Sequence, residues 1–508
     1  MTGALVGSLA VLVWFTQPVL AHAGSLSGSL QSAQAPFWLV VVTGGGIVAA
    51  SFLFATFVTD HDVIREVNDY RHRLPVGGTR RLVPVVRAFG VVGLLTVLVV
   101  GVVGPRDPLL NLAVLTVWVG WWAGYTMSTY LVADSWPLVN PWLTLSSLVG
   151  RVRESASDSA RDLPESLGAW PSVVGLLALV WLEVVSPVGE RPTTLVAVVA
   201  GYTLVTLVGA AVYGPPWFDR VDPVARVFRL YGLVAPLQRS DPTADRPTAL
   251  PARRPTHDGG VALPDEREEE DPDVDTREES GVRRRESAAP GADPDTGATL
   301  VLPGTALVRY PRPMGRDDVA FVVALLWVTT YDGLVSTPAW NGVVRALPTP
   351  PLVTHLVTAV VGFGCFLLAY RVSTRFVGRT AETYVSARFV SGWFAPALVP
   401  IAAGYHVAHF LGYFLSLAPA LGTLALAPLS APASVPLLTL PGWFGSLQLG
   451  FVVAGHLLAV WVAHARAFEL FPGRLQPIRS QYPFVVVMVV YTMTSLWIVA
   501  QPFAAPVT

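Results

Sequence analysis

Gly404-Tyr405-His406-Val407-Ala408-His409-Phe410 lies inside an apolar run that extends from Phe389 to about Leu417. Gly455-His456 and Ala463-His464 follow in the next long apolar run, from about Trp443. Runs of about 20 apolar residues are long enough to cross a bilayer, and a helix satisfies its own backbone hydrogen bonds there. Four of the nine histidines fall in these two runs. Ionisable side chains at membrane depth are costly, and they face a bundle interior, a pathway or a cofactor. His406 and His409, three residues apart, lie on neighbouring parts of one helix face.

The whole chain extends this reading. Over 508 residues the mean hydropathy is +0.53, with 52% hydrophobic and only 14% charged residues. That composition excludes a soluble enzyme and predicts an all-α polytopic transmembrane helix bundle. Spans are expected to start near Phe37, Phe89, Leu110, Trp170, Thr193, Val319, Leu352, Phe389, Trp443 and Pro483, about ten in all. They follow an N-terminal signal-like segment, residues 1–23, which ends in Leu20-Ala21-His22-Ala23-Gly24. Small residues there suit cleavage after Ala21 or Ala23; an extra uncleaved helix is the alternative.

Arginine placement sets the orientation. Arg65, Arg71, Arg73, Arg80, Arg81 and Arg87 follow the first span, and Arg151, Arg153 and Arg161 follow the third. Arg371, Arg375, Arg379 and Arg388 follow the seventh, and Arg466, Arg474 and Arg479 the ninth. Positive loops stay cytoplasmic. A multi-pass protein of the cell (plasma) membrane with both mature termini outside is expected.

The chain divides into a first membrane half, 24–237, an acidic linker, 238–317, and a second half, 318–508. Residues 239–295 hold 16 of the 35 acidic residues and almost nothing apolar, so a disordered cytoplasmic linker is expected. Just before it, 217–237 reads as an amphipathic interfacial helix with Arg226 and Arg229 snorkelling. Five spans on each side entering from opposite faces would suit an inverted repeat.

Several chemistries are excluded. The single cysteine, Cys365, leaves no disulfide and no cysteine metal site. The absence of lysine removes Schiff-base chemistry. HExxH, Walker and GxSxG patterns are missing. With a net charge of -1, segregated by region, no nucleic-acid partner is expected.

The polar groups that remain cluster towards the outer half. With 1.5 Å of rise per residue, His409, His406 and His456 fall ~12, ~16 and ~20 Å below the outer boundary. Asp332, in Thr330-Tyr331-Asp332-Gly333, and Glu183, in Trp181-Leu182-Glu183, lie near the outer ends of their spans. His355 lies just inside another span, and His464 is expected at the cytoplasmic interface. Imidazoles bind zinc or copper, and a carboxylate can act as base to a metal-bound water. Three readings follow. In the first, His406, His409 and His456 hold a transition metal and Asp332 or Glu183 serves a hydrolase. In the second, the same groups carry protons or ions in a secondary transporter of an unknown small-molecule or ion substrate. In the third, His406 and His456 ligate a b-type haem. The plain alternative is that each histidine fastens neighbouring helices. If cleavage follows Ala21, His22 also offers an imidazole and an amine to copper.

Several stretches together resemble a family of multi-pass bacterial and archaeal membrane proteins, some of which are labelled fenitrothion hydrolase. They include Ala21-His22-Ala23-Gly24, Val139-Asn140-Pro141-Trp142, Trp181-Leu182-Glu183, Thr330-Tyr331-Asp332-Gly333-Leu334 and Val399-Pro400-Ile401-Ala402 through His409. Ala454-Gly455-His456, Ala463-His464-Ala465-Arg466-Ala467 and Ser480-Gln481-Tyr482-Pro483 complete the set. The resemblance implies a shared membrane architecture and, through the label, hydrolysis of organophosphate esters.

Overall fold

Long apolar helices dominate the computed structural model, which describes residues 37–74, 81–154, 161–239, 297–430, 432–502 and 504–507. Twelve helices are used below. In the first half they are α1 (Phe37–Ala55), α2 (Val83–Val103), α3 (112–131), α4 (Pro141–Glu154), α5 (Trp170–Val185), α6 (Pro192–Tyr213) and α7 (Pro223–Gly232). In the second half they are α8 (Arg316–Val335), α9 (Pro351–Thr380), α10 (Ala387–Leu426), α11 (Phe444–Leu470) and α12 (Leu475–Val499). Seven of these, α2, α6 and α8 to α12, are long and apolar enough to cross a membrane. The protein is therefore a multi-pass helical bundle. The other three expected spans coincide with α3, which changes helix type along its length, and with the shorter apolar helices α1 and α5.

Helix starts follow from proline, whose fixed backbone angle suits the first turn and whose missing N–H is not needed there. Proline occupies that turn in α2, α5, α6, α7 and α9. Within α10, the turn Ala395–Leu398 around Pro396 is a tighter 3-10 segment, so the expected proline effect appears as a local change of winding.

α8 is the central helix. It is 78% buried across its apolar window, against 22–44% for the other six, and it is buried on nearly every face. It packs against α5, α9 and α10; α10 pairs extensively with α11, and α1 lies against α11 and α12. α10 also packs along α3, where Thr116–Tyr125 is a π-helix. Gly124 makes that approach possible, because a Cβ there would lie 2.5 Å from the Phe414 ring.

Two expectations need correction. Most of the expected 238–317 linker lies outside the described residues, but 297–317 is folded. Strand β3 (Ala298–Val301) pairs antiparallel with both β1 (Arg71–Leu74) and β2 (Leu237–Arg239) in the order β1-β3-β2. Leu307 and Val308 behind it are fully buried, an outcome their apolar character explains. Second, the helical stretch after Pro216 does not lie free in an interface with both arginines snorkelling. Arg226 is buried, bonds Asp318 at 2.5 Å and covers the Phe321 ring, which ties α7 to the start of α8. Arg229 remains exposed beside Asp219.

Candidate functional site

Winding places the histidines of α10. At 100° per residue, the face that meets α11 carries Gly404 and Ala408. A Cβ on Gly404 would come within 2.7 Å of the Gly455 Cα, and Gln448 of α11 donates to the Ala408 carbonyl at 2.7 Å. His406 follows Gly404 by about 200° and so points away from α11. It enters an aromatic chamber formed with Trp122, Tyr130, Tyr231 and Phe410, at ring distances of 4.7–6.0 Å. Its Nδ1 is hydrogen-bonded to the Tyr130 hydroxyl at 2.9 Å. Its Nε2 is buried without a hydrogen bond.

His409, one turn on, stacks on Tyr405 and faces α8, where its Nε2 lies 3.6 Å from Asp332 Oδ2. This is ion-pair range rather than a direct hydrogen bond. Both side chains keep about 15% exposure (15% and 16%), while His406 is 1% exposed, so the pair stands at the rim and His406 inside. Glu183, on α5, faces the same cavity as Asp332.

Beside the His409–Asp332 pair is a cavity of ≈ 20 Å³ lined by Trp122, Glu183, Thr329, Asp332, Tyr405, His406 and Phe410 together with aliphatic side chains of α5 and α8. That is room for one water-sized occupant. Tyr405, 2% exposed, has its hydroxyl buried without a hydrogen bond. The hydroxyl occupies space that only a glycine at 333 leaves, since a Cβ there would lie 1.8 Å away.

The structure thus brings Glu183, Asp332, His406 and His409 around one region and leaves His456 out of it. His456 follows Gly455 on α11, is fully buried, and gives its Nδ1–H to the Val452 carbonyl at 2.8 Å. Among the described residues, no group of three or more His, Cys, Asp and Glu side chains is arranged to hold a metal ion. The expected trio His406, His409 and His456 is not brought together, because the Gly404 face, not the His406 face, meets α11. A haem between His406 and His456 meets the same obstacle: the helix backbones touch at Gly404 and Gly455, leaving no slot for a porphyrin.

His355 and His464 fasten neighbouring elements. His355 donates from Nε2 to the Val507 carbonyl and accepts at Nδ1 from Tyr331. His464, expected at the interface, is fully buried and joins Val58 to Gln481. Arg466, expected in a cytoplasmic loop, is also fully buried inside α11. His22 lies outside the described residues. Sequence reasoning missed Tyr405, Thr329, Trp122 and Tyr130 as site residues; Tyr405 adjoins His406 in the opening stretch, whereas nothing in the sequence sets Trp122 or Tyr130 apart from aromatic anchors.

Fold and site together define a class: a multi-pass helical membrane protein with a cluster of ionisable groups in its bundle. No family model, curated protein or solved structure matches the chain. The hydrolase label therefore gains no support from similarity.

Proposed function

We propose that the chain is a ten-span protein of the cell membrane that couples the movement of a proton or another cation to transport. α1, α3 and α5 supply the three spans beyond the seven long helices, and arginine placement puts both mature termini outside and the linker in the cytoplasm. The observation that carries this reading is the 3.6 Å approach of His409 to Asp332, with Glu183 beside them around a water-sized cavity. A carboxylate pair and an imidazole inside a bundle can take up a charge at the rim and pass it inward with little movement. The cavity admits a water or a bare ion but not an organic ester, so hydrolysis of organophosphates fits the geometry less well.

The test is reconstitution of the full chain into liposomes under an imposed pH or cation gradient, with flux read by an internal dye. Flux is expected with the unaltered chain and is expected to vanish in an Asp332→Asn/Glu183→Gln double variant that purifies as a monodisperse species. Equal flux in the double variant would overturn the reading.

A further inference from the structure

We infer that the cavity between α3, α5, α8 and α10 is a binding site for a single water-sized monovalent cation. This rests on reading the cluster as the transport site and names what the site takes. Four observations converge. The volume, ≈ 20 Å³, fits one such ion stripped of its waters. The wall holds two carboxyl groups, Glu183 and Asp332, with the His409 imidazole in ion-pair range of Asp332, and a positive occupant would stabilise their ionised form.

Two polar atoms on nine-tenths-buried side chains that line the cavity, Tyr405 Oη and His406 Nε2, have no hydrogen bond. Buried polar atoms in folded proteins find partners, so each of these orphans calls for one. The Tyr405 oxygen offers a lone pair. When His406 Nδ1–H donates to Tyr130, Nε2 offers another. Thr329 spends its hydroxyl proton on the Leu325 and Leu326 carbonyls, which leaves its oxygen as a further acceptor. Finally, the ring of Trp122 closes the same wall, and aromatic faces attract monovalent cations. A divalent transition metal would instead require three ligating side chains in register, which the described residues do not provide.

Sodium is the probe, with potassium and ammonium as competitors. The purified full chain in mild detergent is expected to bind about one labelled sodium ion saturably, displaced by the competitors in an order that identifies the native ion. Glu183→Gln is expected to reduce binding to background. Tyr405→Phe, which keeps the ring and deletes the oxygen, is expected to weaken binding about tenfold. Thr329→Val gives a second variant should Tyr405→Phe fail to fold. Saturable binding that ignores all three substitutions would place the ion elsewhere and overturn the inference. So would displacement of sodium by stoichiometric zinc. Cation-independent proton flux without sodium binding would overturn the inference while leaving the transport reading intact; absence of both flux and binding would remove both.

Discussion

Gly404 and Gly455 meet backbone to backbone. A Cβ built on Gly404 would lie 2.7 Å from the Gly455 Cα, and one on Gly455 would lie 2.6 Å from the Pro400 carbonyl oxygen. Neither clash involves a flexible side chain that could yield. This contact turns His406 away from α11 and into the aromatic chamber. Alanine at either position is expected to force α10 and α11 apart and to cost about 1–3 kcal/mol. Thermal unfolding in detergent would show it as a lowered midpoint; an unchanged midpoint would mean the helices are not packed this closely.

A second glycine acts on the site itself. Alanine at Gly333 would occupy the position of the Tyr405 hydroxyl, so Gly333→Ala is expected to displace that ring and impair flux more than it impairs folding. Pairing it with Tyr405→Phe removes the closest clash but leaves Ile498 at 2.8 Å, so folding should recover in part and cation binding should not. The comparison requires flux and thermal stability from the same preparations.

Arg466 holds the stretch behind β3 against the bundle. It donates from Nε to the Trp393 carbonyl and from Nη1 to those of Leu307, Val308 and Tyr310, and it covers the Trp393 ring at 4.1 Å. Arg466→Ala would orphan these carbonyls at a cost of at least ~2 kcal/mol, and lysine should not rescue it, since an ammonium cannot reproduce the planar fork. Limited proteolysis is expected to cut between 297 and 310 in the variant and not in the parent.

His355 and His464 provide the control. Each joins a backbone carbonyl to a side chain and neither lines the cavity. Glutamine at either position is expected to lower stability by ~1 kcal/mol and leave flux per folded molecule unchanged. Loss of flux in His464→Gln would move the functional site.

Asp134, in the turn after α3, carries a pH dependence. Burial raises its carboxyl to about 6, against the opposing pull of Arg239 and Arg229 and a hydrogen bond from the Trp136 N–H. The folded state therefore favours the protonated form. Its stabilising contribution is complete below about pH 4 and is lost as the pH rises through about 6. Melting midpoints between pH 4 and 7 should fall with that profile and flatten in Asp134→Asn.

Hydropathy alone located the long helices, because membrane spans must bury each side chain or face it to lipid and satisfy their own backbones. It also picked out Glu183, Asp332, His406 and His409, since charge at that depth is conspicuous. It could not assign partners. Whether His406 faced α11 or α3 depended on Gly404 and Gly455, two residues whose effect exists only once two helices touch. The π-helix at Thr116–Tyr125, which presents Trp122 to His406, has no signature in an apolar aromatic run. Strand β3 is hidden differently: its three apolar residues, Ala298, Leu300 and Val301, stand beside a long acidic tract whose composition dominates the window.

Arg239 stands directly opposite Ala298 in the β2–β3 ladder, so the chain leaves the sheet and returns to it at neighbouring points. β2 and β3 are thus consecutive antiparallel neighbours whose facing ends a short turn could join. The acidic tract therefore leaves and re-enters the described fold at one place. Excising it and joining Arg239 to Ala298 through a short Asn-Gly turn should leave a bundle of the same packing, and a reporter domain could be spliced in its place.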